Sequence, residues 1–404
     1  MLGDKRLIRT IRLRNFLSFG PESEEIELLG LNVLIGPNAS GKSNLIEAID
    51  VLRACPRDLT KPILVGGGVT EWLWKGSPAS PAAEIDATIY YPSDHMPLRH
   101  RLSFTVVGQR FTLVDEAVEN DRRSRLGAPD VYFYYRYQHG NPVVNVSSGD
   151  GGDETTRRQR ALRREDIAAD QSVLSQRKDP DVYPEITYLG NEYAKILLYR
   201  EWDTGRQTTP RMPQKTDMPG DFLAEDASNL VLVLNDLQSH PGVRDILIEN
   251  LREFHEPINE IYTKVHGGTV QLFLHERGLN QPIPATRLSD GTLRFLCLLA
   301  ILCHPSPPPL VCIEEPEIGL HPDIFPAVAK LLVEASQRMQ LIVTTHSEAL
   351  VDALTDTPEA VLVCEKHEGS TTTHRLDKAA LEDWLESYSL GQLWRKGELG
   401  GNRW

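Results

Sequence analysis

The string Gly36-Pro37-Asn38-Ala39-Ser40-Gly41-Lys42-Ser43 has the form G-x-x-x-x-G-K-S. A short apolar run, Leu31–Ile35, leads into it, and residues 44–54 follow with Leu45, Ile46, Ile49 and Leu52 on one helical side. Strand, glycine-rich turn and helix are the context this motif requires. Glycines let the backbone curl until successive N–H groups point at phosphate oxygens. The start of the following helix adds a favourable dipole. Lys42 then supplies positive charge to the β- and γ-phosphates, the Ser43 hydroxyl is a ligand for Mg²⁺, and Asn44 opens the helix beside them. The chemistry expected is binding of a nucleoside triphosphate with magnesium.

Three further groups of residues suit that chemistry. Leu310-Val311-Cys312-Ile313-Glu314-Glu315 is an apolar run ending in two carboxylates. A parallel sheet delivers such a pair to its carboxyl edge, where ligands bind. One carboxylate can serve the metal shell and the other can polarise an attacking water. Glu317 reads as a turn residue. Leu341-Ile342-Val343-Thr344-Thr345-His346-Ser347 places His346 just past a second strand of the same type, within reach of a γ-phosphate. Leu288-Ser289-Asp290-Gly291-Thr292 precedes a strongly apolar helix. Its Ser289 and Asp290 read either as helix caps or as part of a second phosphate-gripping turn.

These residues need a scaffold, and the composition bounds it. The chain has 404 residues, 43 Lys plus Arg and 57 Asp plus Glu, a formal charge of −14. That length suits roughly two to three domain-sized units. Apolar content of 40% excludes wholesale disorder, and the net charge argues against nucleic acid binding over the whole surface. The longest apolar stretch, residues 295–303, is too short to span a bilayer, and no secretory leader is evident. Five cysteines without a CxxC pair read as reduced core thiols of a cytoplasmic protein.

Residues 7–14 and 24–28 alternate like strands, and strand-like text recurs at 84–91, 100–107, 110–114, 131–137 and 142–146. Turn residues separate these runs, which predicts an antiparallel lobe. Residues 147–180 are polar, residues 149–160 and 203–220 read as mobile loops, and 222–264 read as helical. From 285 onward strands alternate with helices, which implies a mainly parallel α/β core. The domain division expected is 1–114, an inserted lobe at 115–284, and 285–404.

The order phosphate loop, LSDGT, EEPE, TTHS resembles the ABC-class ATPase heads. More narrowly, the chain is similar to the RecF/SMC-like, OLD-type predicted AAA-family ATPases. The matching segments are LRNFLSFGP and LNVLIGPNASGKSNLIEAI, then LSDGTLRFL, IEEPEIGLHP and IVTTHS, and the ending SLGQLWRKGELGG. Ser289 to Glu314 is 25 residues and Glu315 to His346 is 31, spacings that fit. The resemblance implies an α/β P-loop NTPase of ABC-ATPase type, with a mixed core sheet, an antiparallel β lobe and a compact α/β insertion. It implies that Gly36 to Ser43 bind ATP and Mg²⁺, that Glu315 is the general base and that Glu314 serves the metal. It also implies that His346 contacts the γ-phosphate and that Arg14 and Asn15 lie near the α-phosphate or base. Ser289, Asp290, Gly291 and Thr292 would meet the ATP of a second subunit, giving an ATP-sandwiched homodimer. The match departs where Asp290 replaces a glycine, where His321 replaces an aspartate, and where no Gln lies between 50 and 108 to form the usual Q-loop.

The function implied is ATP hydrolysis coupled to DNA repair, recombination or phage defence, through DNA clamping or control of a partner effector such as a nuclease. The alternative is a nucleotide-gated sensor or scaffold with little turnover. Two basic clusters bear on DNA. One is Arg157, Arg158, Arg160, Arg163 and Arg164; the other is Lys5, Arg6, Arg9, Arg12 and Arg14. The first reads as a solvated helix face or as a DNA-contacting patch.

Overall fold

The computed structural model describes residues 6–77, 81–92, 96–123, 130–138, 141–146, 158–163 and 167–401. At its centre is a six-stranded sheet. The order is Leu197–Tyr199, Leu310–Glu314, Gln340–Thr344, Leu31–Ile35, Val361–His367 and Ser370–Arg375. The first five run parallel and the last closes as an antiparallel hairpin. Side chains divide between two cores by alternation. Leu31, Val33, Ile35, Val311 and Ile313 face one, and Leu34, Leu310 and Cys312 face the other. A sheet covered on both faces needs continuous apolar strands, which is why these runs show no polar alternation. The helix Asp290–Leu302 lies in the first core and is apolar on all sides from Phe295 onward. The helix Lys42–Ala54 lies in the second core and buries Leu45, Ile46, Ile49 and Leu52.

That second core is shared with an eight-stranded antiparallel sheet. Its order is Glu25–Glu27, Ile8–Arg14, Ala83–Ile89, Leu98–Val107, Arg110–Asn120, Phe133–Gln138, Asn141–Val146 and Arg158–Ala161. A third, small sheet pairs Gln214–Lys215 and Ile258–His266 with Thr269–Glu276. All five cysteines are buried and unpaired, as expected of core thiols. Among the described residues no helix is long and apolar enough to cross a membrane.

Several expectations need correction. The boundary at 114 falls inside the strand Arg110–Asn120. The stretch 115–284 is not one appended lobe: its first part completes the antiparallel sheet and its Leu197–Tyr199 joins the core sheet. The segment 203–220 is not a bare loop: it holds a helical turn at Thr209–Arg211 and a short strand at Gln214–Lys215. Arg211 is buried there, and its guanidinium donates to the carbonyls of Thr204 (2.7 Å) and Ala285 (3.4 Å). Its polar composition misleads because Arg211 and Gln214 are buried and bond inward. Residues 258–264 are strand, not helix. The register shifts between Ile258 and Glu260, so Ile258 and Ile261 both face inward with helical spacing. Arg158–Ala161 is an edge strand, not a helix face or a loop. Arg157 and Arg164 of that basic run, and Lys5 of the other, lie outside the described residues.

One buried side chain joins the two large sheets. Gln340 begins a core strand, and its amide substitutes for a missing strand neighbour. It accepts from the Ile8 N–H at 2.9 Å and donates to the carbonyls of Ile8 (2.7 Å) and Leu29 (3.1 Å). Replacing it leaves those backbone groups buried and unpaired, at about 1–3 kcal/mol each for the worst placed. Gln340→Leu is expected to destabilise the protein by about 2–4 kcal/mol in urea unfolding, against a small effect for an exposed control such as Gln337→Leu.

Candidate functional site

The glycine-rich turn curls around its own lysine. Lys42 is buried, and its ammonium donates to the carbonyls of Gly36 (2.8 Å) and Pro37 (3.1 Å). Burial holds its pKa below the ordinary lysine value, opposed by the nearby Cys364 sulfur and the Glu315 carboxylate. Gly36 has φ +143° and lies so close to the next strand that a Cβ would stand 2.2 Å from the Cys364 carbonyl. Gly41, at φ +102°, would meet Thr371 and Ser18. Ala39 takes φ +65°, a conformation rare for a residue with a Cβ. Asn38 lines the mouth of the turn beside Pro37 and His346. Ser40 Oγ is buried with no hydrogen-bond partner. From the far side, Thr371 Oγ1 donates to the Ser40 carbonyl at 2.9 Å.

The parallel register sets the acidic residues beside this turn. Glu314 pairs with Thr344 across the sheet, and the neighbouring strand carries Leu34 opposite Thr344. The Ser43 hydroxyl therefore reaches the carboxylate of Glu314, donating to Oε2 at 2.9 Å. Burial raises the Glu314 pKa; the bond from Ser43 and the charge of Arg200 oppose it. Glu315 leaves the strand at φ +48°, and its Oε1 lies 3.7 Å from His346 Nε2. Burial lowers the His346 pKa, as does Lys42, against a raising effect of Glu315, which together favour the neutral imidazole. Lys42, Ser43, Glu314, Glu315 and His346 thus converge at one sheet edge.

Three residues around this edge, and one beside the Ser289 turn, are not marked as functional by the sequence. Glu317 is a clamp as well as a turn residue: its Oε1 accepts from Thr345 Oγ1 (2.5 Å) and from the His346 N–H (3.0 Å). Ser18 accepts from the Asn44 side-chain amide at 2.7 Å and contacts Thr371 Oγ1 at 2.6 Å. Arg200 follows a core strand and lies 3.4 Å from Glu314 Oε1. Arg211 ion-pairs with Asp290. No local sequence signal points to any of them, since each acts through a partner distant in sequence.

Other expected site residues take partners outside the cluster. Arg14 ion-pairs with Glu84 at 3.1 Å, and the Asn15 side chain donates to the Ala82 carbonyl at 3.3 Å. Ser289 caps the helix Asp290–Leu302, accepting from the Thr292 N–H at 3.0 Å, and remains exposed with Asp290. Gly291 packs on the loop after the acidic strand, where a Cβ would stand 2.8 Å from the Gly319 carbonyl. Capping is therefore the role seen within one chain, and the turn presents its exposed residues outward.

The donor set fits a magnesium–triphosphate. It offers curled backbone amides, an orphaned buried hydroxyl at Ser40, an ammonium, and the hard oxygens of Ser43 and Glu314. Among the described residues no group of three or more His, Cys, Asp or Glu side chains could hold a metal alone.

The model of the family described as "AAA domain, putative AbiEii toxin, Type IV TA system" matches residues 31–352. The chain belongs to this family. Its fold is similar to a structure titled "Crystal structure of the SmcHead bound to the C-winged helix domain of ScpA". The likeness has a TM-score of 0.55 at 15% identity and covers 92% of this chain and 99% of that one. A second similar structure is an Smc head domain with an extended coiled coil, bound to the C-terminal domain of ScpA and derived from Pyrococcus furiosus. It gives a TM-score of 0.52 at 14% identity, over 94% and 98% of the two chains. No curated protein matches the sequence. This AAA-family chain therefore has the ABC-type P-loop fold of SMC heads, that of a nucleotide-binding ATPase.

The raised pKa of Glu314 makes it a cost to folding. The folded state resists ionising it, so the cost is absent below the ordinary carboxylate value. It grows as pH rises through the elevated folded value and is full above that. Glu314→Gln is therefore expected to raise the thermal midpoint of the nucleotide-free protein more at pH 8 than at pH 5. Scanning calorimetry at both pH values checks this, and an equal shift at the two would refute it.

Proposed function

We propose that this protein binds Mg²⁺·ATP at Gly36–Ser43 and hydrolyses it when two copies close over the nucleotide. The observation that carries the reading is the convergence of Ser43 on Glu314 at 2.9 Å with His346 3.7 Å from Glu315, beside a buried Lys42. Lys42 would exchange its two carbonyl partners for phosphate oxygens, a gain for a cation already desolvated. Magnesium would be held by Ser43 and Glu314 and would neutralise charge on the phosphates. Glu315 would take the proton of the attacking water. The neutral His346 would donate one hydrogen bond to the terminal phosphate, with Glu317 fixing its backbone. The exposed Ser289 turn is available to a second copy, where its hydroxyl and the helix start would meet the nucleotide from the other side.

For the downstream role we favour control of a partner effector over clamping of DNA. Three arginines of the amino-terminal basic cluster are matched across the sheet: Arg6 with Glu27, Arg12 with Glu25 and Arg14 with Glu84. Such pairs leave little free charge for phosphates. The toxin–antitoxin wording of the family description points the same way.

Two variants test the reading. Lys42→Ala is expected to abolish binding of a fluorescent ATP analogue. Glu315→Gln is expected to bind ATP, lower phosphate release by about 10²- to 10⁴-fold and accumulate a species of twice the mass in light scattering. Unchanged mass with ATP would refute the dimer. Wild-type protein that binds ATP but releases no phosphate in a Lys42-dependent manner would favour the nucleotide-gated scaffold.

A further inference from the structure

The strand Leu197–Tyr199 runs parallel to the acidic strand, with Leu198 opposite Cys312 and Tyr199 opposite Ile313. The next residue on each strand is therefore Arg200 beside Glu314. The Arg200 guanidinium bridges three carboxylates. Nε lies 3.4 Å from Glu314 Oε1, Nη1 donates to Glu47 Oε1 at 2.8 Å, and Nη2 donates to Asp50 Oδ2 at 3.5 Å. Glu47 and Asp50 belong to the helix that opens with Lys42 and Ser43. Glu314 thus has one oxygen on Ser43 and the other facing a fixed cation.

That arrangement conflicts with metal loading. Magnesium binds carboxylate oxygen at close range in a strict octahedron, and a guanidinium on the same carboxylate repels it. Glu47 and Asp50 offer Arg200 a place to stay when Glu314 is withdrawn. We propose that Arg200 is a built-in competitor for magnesium: it holds Glu314 in the nucleotide-free protein and sets the metal concentration at which the site loads. The inference rests on the nucleotide-site reading above. It also gives metal loading a contact with the dimer-facing turn. Two residues on from Arg200, the Trp202 carbonyl accepts from Arg294 Nη2 at 3.0 Å, and Arg294 stands on the helix capped by Ser289.

The experiment is a magnesium titration of analogue binding, read by fluorescence anisotropy of a non-hydrolysable fluorescent ATP analogue on the full chain. Wild type is compared with Arg200→Gln, Arg200→Lys, Glu314→Gln and the Arg200→Gln/Glu314→Gln pair, each first shown by circular dichroism to be folded. Arg200→Gln is expected to lower the half-saturating magnesium concentration by about three- to tenfold. Arg200→Lys, which keeps the charge, should stay close to wild type. In the Glu314→Gln background the Arg200 substitution should change little, because the coupling runs through that carboxylate. An unchanged magnesium midpoint in Arg200→Gln overturns the inference. So does an equal fall in the Glu314→Gln background, which would mark a diffuse field effect. Weaker binding of the analogue with and without metal also overturns it, since Arg200 would then be a direct nucleotide contact. Wild-type binding that ignores Lys42→Ala would remove the nucleotide-site reading and this inference together. The other outcomes remove this inference alone.

Discussion

The bond from Ser43 to Glu314, 2.9 Å long and closing 271 residues of chain, is the constraint on which the rest depends. It exists only if the strand before Lys42 and the strand ending at Glu314 lie parallel and in the right register. The strand Gln340–Thr344 lies between them and fixes both. That middle strand must also be apolar on both faces, because a helical layer covers each side. Gln340 then anchors its first residue to the antiparallel lobe, so the lobe and the core sheet share one geometry. The same register brings His346 to Glu315, since both follow adjacent strand ends.

Residues with unfavourable local states gather at this edge. Ala39 and Glu315 adopt positive φ, Lys42 and Glu314 carry burial-shifted charges, and Ser40 Oγ and Glu317 Oε2 are buried without partners. Each costs folding energy in the absence of ligand, on the order of 1–3 kcal/mol for backbone strain or an orphaned group. A core could avoid all of them. Their concentration at the carboxyl edge of the sheet, and at the turn before Lys42, suits a binding site whose polar groups are already aimed. The two extensive apolar cores offset the cost.

The local parts of this site were legible in sequence because their chemistry is written within short windows. The G-x-x-x-x-G-K-S string fixes its own turn, and an apolar run ending in two acids is a strand that reaches a sheet edge. Elements whose role comes from distant partners were not legible. Arg211 reads as one cation in a polar stretch, yet it is buried against Asp290 and the carbonyls of the adjoining loop. Ile258 and Ile261 imitate a helix because a bulge resets the alternation of their strand. Leu197–Tyr199 is too short to announce itself, although it supplies the edge of the core sheet.

The division of the chain follows from the same logic. An insertion between the lysine turn and the acidic strand has to return to the core sheet with its register intact. Here it returns through Leu197–Tyr199, which bonds directly to the acidic strand. The insertion is therefore not free to tilt independently of the site: a shift at its strand end moves Arg200 against Glu314 and Trp202 against Arg294. Arg294 in turn packs under Gly319, whose carbonyl stands over Gly291 of the exposed turn. One continuous path of contacts thus links the Glu314 carboxylate to the outward-facing turn. Under the proposed function, with a nucleotide at one end of that path and a second copy at the other, the return strand of the insertion is the element that couples the two.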